Sequence, residues 1–304
     1  MEAAQPLVSV AMATYNGERY LREQLDSILQ QTWQNMELVI VDDGSSDGTV
    51  DIIREYQAAW SFIHLHRNET NLGVTKTFEK AISLCTGEYI ALSDQDDLWM
   101  PAKIETLVAH IGDHDAVYSN TVLVNSEGKL LGKTFKDLMN LKSYYHGAPF
   151  LLSNTVAGHT MMLKRSFAQS ILPFPPELFF DLWIAFNAAS GNGLKYVDEG
   201  LVHYRQHGGN VVGTRHSSNK RTRKSRQQQY EEKLQELKEL AKAPVKDQQT
   251  QAILNEMIRL FKRRWSLRRS AFFFRHFNEI LVSKKKPQYR KLLYCAKMFF
   301  KPNF

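Results

Sequence analysis

Apolar runs and helical spacings alternate along the first 124 residues. Five short, mostly unbroken apolar runs lie at 7–13, 37–41, 62–66, 88–92 and 115–124. Runs without polar alternation are typical of strands buried on both faces of a sheet. Helical spacing of apolar residues lies between them, at 18–30, at 49–58, from 74 to about 84, and from Pro101 onward. This order predicts a parallel α/β sheet with helices on both faces.

The regular alternation stops after residue 124. We expect short strands at 160–163, 195–197 and 201–204, and a helix at 179–189. The last 90 residues have mostly helical spacing, at 227–242, at 248–277 (one or two helices) and at 287–304. The pattern predicts an α/β domain at 1–214, with halves at about 1–124 and 125–214, and a helical region at 215–304.

Three predicted strands end in polar clusters. These are T-Y-N at 14–16, D-D at 42–43 and D-Q-D-D at 94–97. Parallel strands bring their carboxyl ends to one edge of a sheet, where ligands bind in this fold class. The closely spaced carboxylates of Asp94, Asp96 and Asp97 repel one another. A cation such as Mg²⁺ or Mn²⁺, shared with a phosphate-bearing substrate, would offset that repulsion. Alternatively, the acids serve a turn, and Asp97 caps the helix near Pro101.

Composition narrows the class of protein. With 304 residues, 43% of them hydrophobic, the chain can form a sizeable core. Cys85 and Cys295 are its two cysteines, which favours a reducing compartment without disulfides. The first residues lack the pattern of a signal peptide, and we expect none. No apolar run approaches the roughly 20 residues of a membrane span.

The net charge of +7 comes from the C-terminal segment. Residues 259–304 hold 14 Lys and Arg against one acid, Glu279. Aromatic residues lie among these cations, which is typical of a segment in an anionic membrane interface. Nucleic acid is the competing partner, but no recognition motif accompanies the charge, and we expect none bound. In a third interpretation, the aromatics pack on the rest of the protein. The polar helix at 227–242 is solvated or forms a homodimer.

The motifs together resemble a known family. They are V-A-M-A-T-Y-N-G-E (10–18), V-I-V-D-D-G-S-S-D-G-T (39–49), N-L-G (71–73), S-D-Q-D-D-L-W (93–99) and Y-R-Q-H-G-G-N (204–210). In this order they resemble family-two nucleotide-sugar glycosyltransferases, over about residues 5–213. F-D-L-W and D-Q-D-D-L-W are similar to bacterial rhamnosyltransferase-like members. The resemblance implies a GT-A fold, with a mostly parallel Rossmann-like sheet flanked by helices, followed here by a basic helical extension.

The resemblance also implies roles for individual residues. Asp96 and His207 would hold Mn²⁺ or Mg²⁺. The residues expected to bind the nucleotide and donor sugar are Thr14, Tyr15, Glu18, Asp42, Asp43, Asp94 and Asp97. Asp97 stays open between a sugar contact and a helix cap, and Asp43 could also serve as a turn residue. His203 is a weaker metal candidate because it lies within a predicted strand.

Asp181 is the expected general base. Family members that invert the anomeric centre use a carboxylate at this position to deprotonate the acceptor hydroxyl. Its apolar neighbours Phe179, Phe180 and Trp183 would raise its pKa towards a useful range. Phe180 departs from the Glu or His that the family often carries there. Without the resemblance, Asp181 would be interpreted as the N-cap of a helix. Trp99 and Trp183 could stack on sugars or lie in the core.

The resemblance implies an inverting, metal-dependent glycosyltransferase. It would move a sugar from dTDP-rhamnose or a UDP-hexose to a saccharide or lipid-linked acceptor in bacterial cell-surface polysaccharide synthesis. We expect it in the cytoplasm, peripheral on the inner face of the membrane. A sugar nucleotidyltransferase would need a Gly-rich basic loop after the first strand, which T-Y-N-G-E-R at 14–19 does not supply. A dehydrogenase would need G-x-G-x-x-G there. A sugar-nucleotide-binding protein without activity is the third alternative.

Overall fold

The computed structural model describes residues 5–208, 225–262, 265–282, 285 and 287–300. Several sequence predictions lie outside these residues. They are the end of the last motif at 209–210, the boundary between 214 and 215, the end of the helical spacing at 301–304, and the basic positions 263, 264, 284 and 286.

The described residues form an alternating series of strands and helices. The strands are β1 (Val8–Thr14), β2 (Met36–Asp42), β3 (Ile63–Arg67), β4 (Tyr89–Ser93), β5 (Leu98–Trp99), β6 (Ala116–Val124), β7 (Leu130–Thr134), β8 (Met161–Lys164) and β9 (Leu194–Arg205). The helices are α1 (Glu18–Leu29), α2 (Thr49–Ala59), α3 (Val74–Leu84), α4 (Lys103–Ile111), α5 (Phe135–Leu138), α6 (Arg165–Ser170), α7 (Phe180–Ser190), α8 (Arg226–Leu240), α9 (Gln248–Phe261), α10 (Leu267–Ile280) and α11 (Gln288–Lys297).

These strands form one mixed sheet. Its order is β3-β2-β1-β4-β8-β6-β9-β5, with β7 paired to β6. The first four strands of that order are mutually parallel, and β6 and β9 are parallel to each other. The strand β8 runs antiparallel between β4 and β6. The predicted α/β fold with a largely parallel sheet is confirmed, and β1, β2 and β4 end side by side, as the sequence pattern required.

The second half of the sheet differs from the sequence prediction. The two strands expected at 195–197 and 201–204 are one strand, β9. Its register against β6 shifts between Val197 and Gly200, so the polar residues between them bulge out of the ladder. The strands β5 and β7 were not predicted. The first has two residues, and the second is largely exposed, so neither carries an apolar pattern.

Hydrophobic clusters cover both faces of the sheet. Along β1, Val10 and Met12 belong to one cluster, and Ala11 belongs to the other, as expected for alternating side chains. The helices α1, α2 and α4 cover the first face. The second face is covered by α3, α6 and α7, and the same cluster continues into the C-terminal helices.

The C-terminal helices pack on the body of the protein. Phe261 of α9 and Phe273 of α10 are fully buried. The backbone N–H of Gly147 donates to Thr250 Oγ1 at 3.0 Å, which ties α9 to the body. Much of the aromatic content of this segment therefore lies in the core, as the third interpretation of the segment proposed. The homodimer through these helices stays a prediction.

Some apolar side chains of the C-terminal segment remain on the surface. Trp265 and Phe300 are each more than half exposed and pack on each other, with ring centroids 5.4 Å apart. Leu267, two residues after Trp265, is 75% exposed. We call Trp265, Leu267 and Phe300 the apolar tail patch. Within the described ranges, no helix has the length and apolar character needed to cross a bilayer.

Candidate active site

A cavity of about 730 Å³ opens at the carboxyl ends of β1 and β4. That volume suits a ligand the size of a nucleotide sugar. The first half of the chain contributes Thr14, Tyr15, Asp43, Asp94 and Asp96 to its lining. Other lining residues come from 153–159, from the start of α7 and from α8. The cavity therefore brings together several of the residues that the sequence singled out.

Asp96 and His207 meet, although 111 positions separate them. The Nε2 atom of His207 lies 2.8 Å from Asp96 Oδ2. His207 follows the end of β9, and the parallel pairing of β9 with β6 carries it back to the edge where β4 ends. Carboxylate and imidazole atoms at this spacing form a donor set that suits Mn²⁺. The donor set fits the metal site expected from the resemblance.

The three acids at 94–97 are partly neutralised by groups of the chain itself. His159 is buried, and its Nδ1 atom lies 3.4 Å from Asp94 Oδ2 and 3.5 Å from Asp97 Oδ2. Burial lowers the pKa of His159, but the two carboxylates outweigh it and raise that pKa. The sequence analysis missed His159 because a single histidine after a loop carries no recognisable spacing.

Asp97 lies beneath the cavity and does not line it. It is fully buried, and its Oδ1 atom accepts a hydrogen bond from the backbone N–H of Arg205 at 3.2 Å. Burial raises the pKa of Asp97 to about 7, although His159 opposes this. The helix α4 begins at Lys103 after Ala102 and has no side-chain cap. Asp97 therefore joins β9 to the acidic loop, which is neither of the two roles expected for it.

Asp42 and Glu18 hold loops together away from the cavity lining. Asp42 is fully buried and accepts hydrogen bonds from Thr14 Oγ1 at 3.1 Å and from the backbone N–H of Ser45 at 3.0 Å. Arg67 Nε lies 3.5 Å from the same carboxylate. Glu18 Oε2 accepts from the backbone N–H of Gly48 at 2.6 Å. Both acids were expected at the donor. The contacts of Asp42 occupy both of its oxygens, whereas Glu18 holds the loop at Gly48 and does not line the cavity.

Asp43 lines the cavity and also shapes its rim. Its Oδ1 atom accepts from Asn68 Nδ2 and from the backbone N–H of Leu72, both at 2.8 Å. Its Oδ2 atom accepts from the N–H of Gly73 at 2.9 Å. Gly73 has a φ of +83°, which favours glycine. A carboxylate has about four acceptor positions, so one remains for a ligand.

Gln95 joins the loop after β1 to the acidic loop after β4. Its side-chain amide accepts from the N–H of Tyr15 at 2.9 Å and donates to the carbonyl of Tyr15 at 3.1 Å. Tyr15 is about half exposed at the cavity, where its ring can meet a base or sugar. Gln95 is an uncharged residue between two acids, so the sequence pattern gives no signal for this contact.

Asp181 is the second residue of α7, in the first turn of the helix, and lines the cavity. The N-cap of α7 is Phe179, which makes no side-chain capping bond, so Asp181 is not the N-cap. Its Oδ1 atom accepts from the backbone N–H of Leu182 at 2.7 Å. Burial raises the pKa of Asp181 to about 6. Phe180 stacks on Phe78 at 4.1 Å and contributes to that apolar setting.

Trp99 and Trp183 are core residues. Each is about 5% exposed, and neither lines the cavity. Trp183 Nε1 donates to the carbonyl of Ile171 at 2.8 Å. The ammonium of Lys103 lies 3.3 Å above the ring of Trp99 and donates to the carbonyl of His159 at 2.8 Å. The core interpretation of both tryptophans is therefore the correct one.

The chain resembles bacterial and archaeal glycosyltransferases in sequence. It is 32% identical over 219 residues to MJ1057 of Methanocaldococcus jannaschii, described as an uncharacterized glycosyltransferase, covering 67% of this chain and 72% of that one. It is 44% identical over 110 residues to EpsE of Bacillus subtilis, provisionally named a glycosyltransferase, covering 36% of this chain and 40% of EpsE. TuaG of Bacillus subtilis, named provisionally as a teichuronic acid biosynthesis glycosyltransferase, is 34% identical over 164 residues, covering 53% of this chain and 63% of TuaG.

Solved structures share the fold. The complex of Staphylococcus aureus TarS (1–349) with UDP-GlcNAc matches with a TM-score of 0.60 at 19% identity, covering 97% of this chain and 82% of that one. The mannosyltransferase PcManGT of Pyrobaculum calidifontis, in complex with GDP-Man and Mn²⁺, matches with a TM-score of 0.56 at 19% identity, covering 84% and 70%. The sheet, the acidic edge and these neighbours agree with a GT-A fold. The family model for glycosyl transferase family 2 matches residues 9–172, more than half of the chain, and the chain therefore belongs to that family.

Proposed function

We propose that this protein is an inverting, metal-dependent glycosyltransferase that uses a nucleoside-diphosphate sugar. The observation that carries the proposal is that Asp94, Asp96 and Asp181 line one cavity in a chain of family 2. The acids at 94 and 96 supply a site for the donor, and Asp181 supplies a base. UDP-GlcNAc and GDP-Man in the structures of TarS and PcManGT support a nucleotide sugar as the donor.

In this proposal, Asp96 and His207 hold the metal, and Asp94, Asp43 and Tyr15 contact the donor. When bound, Mn²⁺ or Mg²⁺ would stabilise the negative charge of the departing nucleoside diphosphate as a Lewis acid. Gln95 fixes the backbone of Tyr15 against the acidic loop, so both loops present one rigid rim to the donor. His159 keeps Asp94 in place from below.

Asp181 deprotonates the acceptor hydroxyl. The hydroxyl oxygen then attacks the anomeric carbon on the face opposite the departing diphosphate, which inverts the configuration at that carbon. The raised pKa of Asp181, about 6, leaves it ionised at neutral pH and brings it closer to the pH at which a base is most effective. A sugar-binding protein without activity would need no carboxylate in this apolar setting.

We propose dTDP-rhamnose or a UDP-hexose as the donor, and cell-surface polysaccharide synthesis as the process. Support for the process comes from TuaG, whose provisional name places it in teichuronic acid biosynthesis. We propose that the enzyme works in the cytoplasm on the inner face of the membrane. The apolar tail patch, with Arg268 exposed next to Leu267, suits an anionic lipid surface.

A donor screen tests the proposal directly. Purified protein is mixed with UDP-glucose, UDP-galactose, UDP-GlcNAc, GDP-mannose or dTDP-rhamnose, each with Mn²⁺ or with EDTA. We expect one of these to raise the Tm with Mn²⁺ and to be hydrolysed slowly, with both effects lost in EDTA. An equal rise in Tm when the sugar nucleotide is added with EDTA in place of Mn²⁺ would contradict the metal site. Binding without hydrolysis or transfer would favour the non-catalytic alternative.

A further inference from the structure

Two charged residues of the C-terminal region line the cavity. They are Lys233 and Glu236, one turn apart on α8. Among the described lining residues, they are the only ones that come from beyond β9. The C-terminal region therefore completes the wall of the cavity that holds Asp94, Asp96 and Asp181.

The helix α8 is held firmly enough to present a defined surface. Its N-terminus has a capping box, in which Ser225 Oγ accepts from the N–H of Gln228 at 3.1 Å and Gln228 Oε1 accepts from the N–H of Ser225 at 2.8 Å. Leu237 and Leu240 are fully buried in the hydrophobic cluster that also contains α7. The cavity-facing residues of α8 thus sit on a packed helix.

Lys233 is buried with fewer partners than an ammonium group can use. Its side chain is 7% exposed, and its Nζ atom forms an ion pair with Glu236 Oε1. An ammonium has three N–H donors. In the described part of the chain, Glu236 is the one acceptor that the structure gives it. Burial lowers the pKa of Lys233, although Glu236 opposes this. A buried cation with donors to spare is costly unless a ligand completes its hydrogen bonds.

The pair suits neutral hydroxyl groups better than a charged ligand. Glu236 cancels the charge of Lys233, so a phosphate would gain little from the lysine and would be repelled by the carboxylate. Adjacent hydroxyls of a sugar ring match the pair, because one can accept from the ammonium and the next can donate to the carboxylate. Phe135, Met139 and Phe179 also line the cavity and offer apolar surface for the C–H face of a ring.

We propose that Lys233 and Glu236 form a subsite for the acceptor, and that the acceptor presents a sugar ring with neighbouring hydroxyls to them. This inference rests on the proposed transferase function and deepens it. It assigns acceptor selection to the C-terminal region, whereas the residues that we propose for the donor, Tyr15, Asp43, Asp94, Asp96 and His207, all lie before that region. An acceptor that is a bare lipid phosphate is the alternative that the test separates.

The test compares K233M and E236Q with K242M in the full chain. Lys242 pairs with Glu239 at the end of α8, is largely exposed and does not line the cavity, so its variant is a matched control. The donors are those that the wild type hydrolyses, and the acceptor probes are p-nitrophenyl hexosides and farnesyl phosphate. The KM for each acceptor, the KM for the donor and donor hydrolysis without acceptor are measured separately.

We expect K233M to raise the KM for the hexosides by about tenfold or more, and E236Q by a few fold. Donor KM and acceptor-free hydrolysis should stay within about twofold of wild type, as should all values for K242M. The hexosides should also raise the Tm of wild type more than that of K233M, which is a readout independent of turnover.

Three results would overturn the subsite while leaving the transferase standing. In the first, K233M folds and its KM for the hexosides is unchanged. In the second, K233M changes the KM for the donor and leaves the KM for the hexosides unchanged. In the third, the wild type hydrolyses the donor but binds no hexoside, or prefers farnesyl phosphate as acceptor. A wild type that hydrolyses and transfers none of the sugar nucleotides would instead remove the proposed function, and the subsite with it.

Discussion

The acids that end β2 and the acids that end β4 look alike in sequence but have different positions and contacts in the structure. Asp42 is fully buried, and its contacts to Thr14, Ser45 and Arg67 occupy the carboxylate. Asp94 and Asp96 both face the cavity, and the side chain of Asp94 is 36% exposed. The difference separates an acid that builds the edge of the site from acids that are free to meet a ligand.

Asp43 combines the structural role of Asp42 with the cavity-facing position of Asp94 and Asp96. It holds the turn at 71–73 through Leu72 and Gly73, and it also lines the cavity. Strand-end acids therefore differ by how many donors of the chain reach them: Asp42 contacts Thr14, Ser45 and Arg67, whereas Asp94 contacts His159. The comparison predicts that replacing an acid after β2 mainly lowers the free energy of unfolding, whereas replacing an acid after β4 mainly lowers the catalytic activity.

The largest effect on activity is expected outside both groups, at Asp181. Asp181→Asn should lower kcat by about 10²- to 10⁴-fold, because the amide cannot accept the acceptor's proton. The Kd for nucleotide with Mn²⁺, measured by calorimetry, should stay close to wild type. Asp51→Asn, on the exposed face of α2, is the matched control. Wild-type turnover by the Asp181 variant would mean that the base lies elsewhere.

Asp96→Ala and Asp42→Ala test the comparison itself. Asp96→Ala should lower kcat by about a hundredfold and abolish Mn²⁺-dependent nucleotide binding, with little change in Tm, because it removes the carboxylate that we propose as a metal ligand. Asp42→Ala should lower the free energy of unfolding by about 3 kcal/mol, because it leaves buried donors without an acceptor. Urea unfolding and nucleotide calorimetry on both variants measure the contrast. The comparison would be wrong if the two variants behaved alike.

The pH profile of the reaction sharpens the role of Asp181. Its pKa is raised to about 6 by burial, and a base acts in its ionised form. The value of kcat/KM should therefore rise with pH, reach about half of its plateau near pH 6 and level off above about pH 7, and at pH 5 it should be about tenfold below the plateau. Residual activity of Asp181→Asn should lack this step. A plateau extending unchanged to pH 4 in wild type would argue against the assignment.

The smallest effect is expected at the apolar tail patch. The double variant Trp265→Ala and Leu267→Ala should bind vesicles of anionic lipid several-fold more weakly, because the lost side chains no longer enter the interface. Flotation with liposomes measures this. Leu130→Ala with Leu131→Ala, on the exposed strand β7, is the control. Equal flotation of both double variants would mean that the apolar tail patch does not contact the membrane.

Local patterns predicted the first half of the fold well. The strands β1, β2 and β4 are unbroken apolar runs, and their parallel order places 14–16, 42–43 and 94–97 at one edge. Asp96 and His207 also meet at 2.8 Å, as a shared metal site requires. Their roles as ligands stay predictions.

Long-range contacts explain what the sequence did not reveal. His159 contacts the acidic cluster from a segment with no recognisable motif, and Lys103 Nζ donates to the carbonyl of His159. Lys233 and Glu236 lie on a polar helix, where an i, i+3 pair is the usual solvated arrangement. Their burial at the cavity depends on how α8 packs, which no local pattern records. Asp42 and Asp97 are buried and do not line the cavity, because Thr14 and Arg205 from other segments hold them, and their roles at the donor stay predictions.

The position of α8 in the chain has a consequence for how such enzymes could diversify. The residues that we propose for the donor, His207 included, all lie before residue 208, whereas the acceptor wall that we propose begins after residue 225. A recombination event between these points would exchange one recognition surface and keep the other. Chimeras joined in that interval are therefore a route to new glycosidic products from an unchanged sugar donor.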